Sequence, residues 1–161
     1  MNAATSLYVG NIKQSVKKST DYITLTGTIS NLAANSTSNF NFTGYDSNFT
    51  SASGGQGVAL TPGVYEAVCN VSFPQPIVSP QAAFTTVNLA VTGTNAAINP
   101  TSVQTNAVYN GWQSGYTSCM FPLVDIYMPN GGSFAPSLYQ NLGATISNVN
   151  LSLTLRRVRA Y

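Results

Sequence analysis

The stretch VNLSLTLR at positions 149–156 decides the fold class of this chain. Apolar residues at 149, 151, 153 and 155 alternate with polar residues at 150, 152, 154 and 156. A period of two places the apolar side chains on one face of a β-strand and the polar side chains on the other. The sequence therefore predicts a strand that buries one face and exposes the other.

The same alternation recurs at 23–29, 40–43, 65–73 and 87–91, with turns rich in Gly, Pro and Asn between these segments. No window of useful length shows a helical stripe. About seven to nine short strands separated by such turns are typical of a β-sandwich or jelly roll. We predict an all-β fold, a single eight-stranded antiparallel jelly-roll sandwich. Residues 21–161 form the single domain, and residues 1–20 form an N-terminal arm or first strand.

The run CMFPLVDIYM at 119–128 predicts a strand that is apolar on both faces and therefore central in its sheet. Asp125 falls within this run, where burial would raise its pKa. A carboxylate in that position raises the hypothesis of a carbohydrate-active enzyme. The interpretation that we prefer is an aspartate at a strand edge or turn, hydrogen-bonded to backbone.

Positive charge is confined to the two ends of the chain, and the residues between them carry only acidic charges. The cations are Lys13, Lys17, Lys18, Arg156, Arg157 and Arg159. If the first and last strands lie side by side, these six residues gather at one pole of the molecule. They are either solubilising ends or a contact for an anionic partner.

Charged residues make up 6% of the chain, against about 25% in an ordinary globular protein. A surface of neutral amides and hydroxyls packs against like neighbours without the cost of desolvating ions. The net charge of +2 is too small to predict direct nucleic-acid binding. Composition therefore favours a protein that associates with itself.

Histidine is absent from the chain. Its absence removes the usual general base and the usual zinc ligand. We therefore predict no catalytic activity, no metal site and no cofactor.

Cys69 and Cys119 each lie in an apolar stretch, which indicates two buried thiols, although a disulfide stays open as an alternative. The first residues lack the pattern of a signal peptide, and no apolar stretch is long enough to span a membrane. Synthesis in a cytosol without membrane insertion is the expectation.

Three aromatic residues, Tyr109, Trp112 and Tyr116, lie close together in a polar segment. They are candidates for a loop that stacks against a sugar ring. The alternative is that Trp112 covers an open sandwich edge or packs in a subunit interface, where Trp and Tyr are enriched.

The segment SGGQGVALTPGVYEAVCNVSF at 53–73 resembles the C1q/TNF-like jelly-roll family, most specifically at Pro62, Gly63, Val64 and Tyr65. The segments VNLAVTGTN and NVNLSLTLRRV are similar to the middle and terminal strands of that family. This resemblance implies a trimeric spike or fibre head that binds a receptor or glycan through its loops.

The neutral composition, rich in Asn, Ser, Thr and Gly, also resembles single jelly-roll virion proteins. That resemblance implies a structural capsid subunit, most simply a penton protein at a five-fold vertex. Its expected partners are copies of itself in a homopentamer and neighbouring capsid proteins, and its expected location is the virion after synthesis in host cytoplasm. The alternative is the homotrimeric head.

Overall fold

The chain folds into thirteen β-strands within the residues that a computed structural model describes, which are 21–73, 84–106, 117–120, 123–141 and 145–161. The first seven strands are β1 (Tyr22–Leu32), β2 (Ser36–Asn39), β3 (Asn41–Thr43), β4 (Thr50–Ala52), β5 (Gly57–Leu60), β6 (Gly63–Phe73) and β7 (Phe84–Thr92). The remaining six are β8 (Ala97–Asn99), β9 (Ser102–Asn106), β10 (Thr117–Met120), β11 (Val124–Met128), β12 (Gly132–Gln140) and β13 (Ile146–Ala160). A 3₁₀ turn, Ser53–Gly55, precedes β5.

The larger sheet contains seven strands in the order β3-β1-β13-β6-β11-β8, with β10 also paired to β6. Every pairing in it is antiparallel. The first and last of the described strands, β1 and β13, are neighbours, with Leu25 opposite Leu153. The other edge of β13 pairs with β6, where Leu153 lies opposite Cys69. The last strand therefore occupies the middle of the sheet.

The smaller sheet contains six strands in the order β4-β5-β12-β7-β9, with β2 also paired to β12. Its inward side chains, among them Val58, Phe134 and Leu138, are almost completely buried. They pack in the same apolar core as Leu25 and Leu153 of the larger sheet. The two sheets form a sandwich, which confirms the predicted all-β antiparallel class.

Alternation in the sequence matches burial in the long strands. Along β6 the side chains of Tyr65, Ala67, Cys69, Val71 and Phe73 are buried and those between them are more exposed. Strand β13 follows the same rule from Val149 to Leu155. The prediction of one-face burial from 149 to 156 is therefore confirmed.

The structure has more strands than the eight predicted, because several strands are too short to produce an alternation. Strands β3, β4 and β8 contain three residues each, and most of their residues are polar or small. The run at 119–128 is divided between β10 and β11, which pair with successive parts of β6. Strand β11 lies between β6 and β8, as a central strand does, but it buries only Val124, Ile126 and Met128 and exposes its other face.

Candidate assembly surface

The turn at residues 61–65 packs against β13 at one end of the sandwich. The phenolic hydroxyl of Tyr65, whose side chain is buried, donates a hydrogen bond to the carbonyl oxygen of Thr61 at 2.7 Å. At Gly63 the backbone approaches β13 so closely that a Cβ atom would lie 2.7 Å from the carbonyl oxygen of Arg159. Only glycine fits such an approach without a shift of the backbone. The turn therefore fixes the position of the last residues of β13.

Arg157 ties the end of β13 to the beginning of β1. Its Nη2 lies 2.9 Å from Oδ1 of Asp21, and its Nη1 donates a hydrogen bond to Oγ1 of Thr61 at 3.0 Å. These groups border a cavity of about 140 Å³ that Tyr65 and Asn48 also line. The charge of Arg157 is thus balanced within the subunit.

The carboxylate of Asp46 is also hydrogen-bonded within its own loop. Its Oδ1 accepts hydrogen bonds from the backbone N–H groups of Asn48 and Phe49 at 2.7 and 2.8 Å. This carboxylate organises its own loop, as Asp side chains commonly do in turns. The charged residues of the described ranges that are left are Arg156, Arg159, Glu66 and Asp125.

Three of these four charges form one row across the larger sheet. Arg156 on β13 lies opposite Glu66 on β6, and Glu66 lies opposite Asp125 on β11. Neighbouring strands are about 4.8 Å apart, so the three side chains stand side by side. They point away from the core, because Leu155, Ala67 and Val124 beside them point into it. Asp125 is exposed, so the hypothesis of a buried carboxylate was wrong.

Exposed apolar side chains surround this row. Within the described ranges the large hydrophobic residues that are exposed are Tyr22, Leu123, Tyr127, Val158 and Tyr161. All five belong to β1, β11 or β13, or directly adjoin one of these strands. Exposed apolar side chains that gather in one region are typical of an interaction site.

Ring contacts join the charges to the aromatic side chains. The rings of Tyr127 and Tyr161 meet edge to face with their centroids 5.6 Å apart. The guanidinium carbon of Arg159 lies 5.2 Å from the centroid of the Tyr161 ring, within the range of a cation–π interaction. Tyr22 lies opposite Arg156 in the register of β1 and β13. These residues form an assembly face on the outer surface of the larger sheet, which consists of Tyr22, Glu66, Asp125, Tyr127, Arg156, Arg159 and Tyr161.

Cys69 lies on the opposite, inward side of the larger sheet. It is a free thiol with no exposed surface, and burial raises its pKa to about 12. A thiol that stays protonated is a poor nucleophile. The prediction of a buried thiol is confirmed for Cys69, whereas the side chain of Cys119 lies outside what the structure describes.

The structure places some of the predicted site residues and leaves others outside its ranges. Arg156, Arg157 and Arg159 lie together at the end of β13, beside the beginning of β1. Lys13, Lys17 and Lys18 lie outside the described residues, so the six-cation pole stays a prediction. Tyr109, Trp112 and Tyr116 also lie outside them, and the recognition loop stays a prediction for the same reason.

Sequence reasoning missed the contribution of Tyr22, Tyr127 and Tyr161 to the assembly face. The available signal was the position of Tyr22 and Tyr127 next to inward residues, since alternation then makes each of them face outward. The opposition of Glu66 and Asp125 depends on which strands are neighbours. No pattern within a single strand carries that information.

Neither a cluster of metal ligands nor a membrane-spanning helix occurs in the part of the chain that the structure describes. No group of three or more potential metal ligands comes together there. No helix in the same ranges is long and apolar enough to cross a membrane.

Comparison with known proteins gives structural likeness only. No protein-family profile matches the chain, and neither does the sequence of any curated protein. The Eiger TNF of S. frugiperda is similar in structure, with a TM-score of 0.52 and 12% identity over 88% of this chain and 95% of that one. This likeness shows a TNF-like jelly-roll fold, as predicted, and nothing beyond the fold.

Two further structures resemble the chain more weakly. The vertex protein P5 of PRD1 has a TM-score of 0.42 and 15% identity over 84% of this chain and 96% of that one. Murine APRIL has a TM-score of 0.47 and 10% identity over 81% of this chain and 98% of that one.

Proposed function

We propose that this chain is a non-catalytic structural subunit of a virus particle that associates with copies of itself around a symmetry axis. The first choice for its position is a five-fold vertex, where neighbouring capsid proteins would surround it. The subunit would be made in host cytoplasm and would act in the virion.

The observation that carries this proposal is the assembly face. The exposed large hydrophobic side chains of the described ranges all lie on or beside three strands of one sheet. Aromatic residues and Arg are enriched at the centres of protein interfaces, where they contribute most of the binding energy. The composition of this face therefore favours contact with another protein over exposure to bulk water.

The rest of the surface supports a permanent position in an assembly. The outward residues of β1 and β13 include Thr24, Thr26, Asn150 and Ser152, which are neutral and polar. Contacts between such groups avoid the cost of desolvating charges. The low charge content of the whole chain, 6%, fits the same role.

The mass of the full chain, measured by native mass spectrometry at low and at moderate salt, tests the proposal. A homopentamer is the expected species, and an antibody against the chain should label virus particles purified from the cells that make it. A homotrimer would favour the alternative, a spike or fibre head that binds a receptor or glycan. Trp112→Ala would then abolish ligand binding and leave the trimer intact.

Two results would refute these proposals. A chain that stays monomeric at high concentration and is absent from purified particles would refute the structural role. Retained particle incorporation after Lys13, Lys17, Lys18, Arg156, Arg157 and Arg159 are neutralised together would refute the predicted contact of that pole with an anionic partner.

A further inference from the structure

We propose that the assembly face binds a second copy of this chain through charge complementarity. Arg156 and Arg159 of one subunit would contact Glu66 and Asp125 of the next. This inference rests on the proposed self-association and names the surface and the contacts that it uses.

The charges of the described ranges divide into two groups. Asp21, Asp46 and Arg157 are satisfied within the subunit by the ion pair and hydrogen bonds described above. The other four charges lie on the assembly face, with the cations on β13 and the anions on β6 and β11. In a chain with so few charges, this placement gives one face a cationic side and an acidic side.

In a single subunit, nearby cations do not fully compensate the negative charges on the acidic side of the face. Glu66 and Asp125 lie directly opposite each other on neighbouring strands, and like charges in that position destabilise a sheet. Arg156 lies beside Glu66 but one strand further from Asp125. Within the described ranges neither carboxylate lies within ion-pair distance of an arginine. A cation supplied by another subunit would relieve the repulsion between the two carboxylates.

The direction of the row determines which symmetry can use it. Arg156, Glu66 and Asp125 lie at the same height along the strands because they are partners in one register. A rotation about an axis parallel to the strands keeps every residue at its own height. Such a rotation can place Arg156 of one subunit level with Glu66 and Asp125 of the next.

The aromatic residues should shield this ionic contact from water. Tyr22 lies on the cationic side, next to β13, and Tyr127 lies on the acidic side, on β11. When two such sides meet, the rings exclude water from the charges between them. Exclusion of water strengthens the attraction between opposite charges and makes a mismatch of like charges costly.

A charge-reversal experiment on the full chain tests the proposal. The double variant Arg156→Glu with Arg159→Glu makes both sides of the face acidic, and the double variant Glu66→Arg with Asp125→Arg makes both sides cationic. Each variant alone should associate with itself at least about tenfold more weakly than the wild type, because like charges then face each other. An equimolar mixture should recover part of the association, since each contact between the two variants pairs opposite charges.

Analytical ultracentrifugation and native mass spectrometry follow the assembly, and circular dichroism verifies that each variant is folded. Ala90→Glu and Ala90→Arg are matched controls, because Ala90 is exposed on β7 of the smaller sheet. These controls change the net charge but should assemble like the wild type.

The outcomes separate this inference from the proposed function. Assembly of both reversal variants at wild-type strength would refute the charge contact and leave the structural role intact. Weakened variants whose mixture does not recover would also overturn it. A wild-type chain that is monomeric but present in virus particles would refute the contact between copies only. A monomeric chain that is absent from particles would refute both.

Discussion

Alkaline pH should destabilise the fold through Cys69. Burial raises the pKa of this thiol from its ordinary value of 9.0 to about 12. Between these values the unfolded chain releases the thiol proton while the folded chain retains it. The unfolded state then binds fewer protons than the folded state, so the free energy of unfolding falls as pH rises.

The size of this effect follows from the pKa difference. At about pH 10 the unfolded thiol is about 90% ionised, and the free energy of unfolding should have lost about 1 kcal/mol relative to neutral pH. By about pH 12 the loss approaches about 4 kcal/mol, the value for a shift of about three pKa units. The contribution is constant below about pH 8, where the thiol is protonated in both states.

Urea unfolding followed by circular dichroism at a series of pH values measures this loss, with a reductant present and the protein concentration fixed. Concentration must be fixed because self-association would add its own stabilisation. The control is Cys69→Ala, which costs packing energy at every pH but removes the titrating thiol. All other titrating groups, including Cys119 and the tyrosines, are shared by the two proteins. Parallel stability curves for the two proteins between neutral pH and about pH 10 would refute the reasoning.

Two further predictions concern packing and buried polar groups. In Gly27→Ala the new Cβ would lie 2.7 Å from Cε1 of Phe42, so we expect a loss of about 1–3 kcal/mol in urea unfolding. Adding Phe42→Leu should recover part of that loss. If the losses of the two single variants simply add in the double variant, the contact with Phe42 is not the cause. In Gln140→Met the hydrogen bond from Nε2 to the carbonyl oxygen of Ala33, 2.6 Å long, disappears while the side-chain volume is kept. Loss of a buried partner of this kind costs about 1–3 kcal/mol, and an unchanged urea midpoint would show that water replaces it.

The strands whose alternation is long were predictable from the sequence, whereas the registers in which they pair were not. The pattern from Val149 to Leu155 specifies which face is buried, because each inward position is apolar and each outward one is polar. Gly27 also points inward on β1, but a residue without a side chain adds nothing to a hydrophobic pattern. Its role depends on Phe42, which lies on another strand. Such contacts are properties of the pairing register.

The assembly face shows the same limit. Arg156 was recognisable as a candidate because cations are rare in this chain, but its partners were not. Glu66 and Asp125 become neighbours only because β6 and β11 pair in one particular register. A shift of that register by one residue would turn each side chain to the opposite face. The hypothesis of a buried Asp125, which we did not prefer, arose because the apolar run around it resembles one continuous central strand.

The central position of β13 has a consequence for biosynthesis. Strands β1 and β6 both take β13 as a partner, yet β13 leaves the ribosome after every other described strand. Until then the facing edges of β1 and β6 present unpaired backbone groups that another nascent chain could join. Pairing of β1 with β13 also joins residues from opposite ends of the described chain, a type of contact that forms slowly. Folding of the larger sheet should therefore finish only after β13 has emerged, and yield in the cell should depend on how long chaperones protect those two edges.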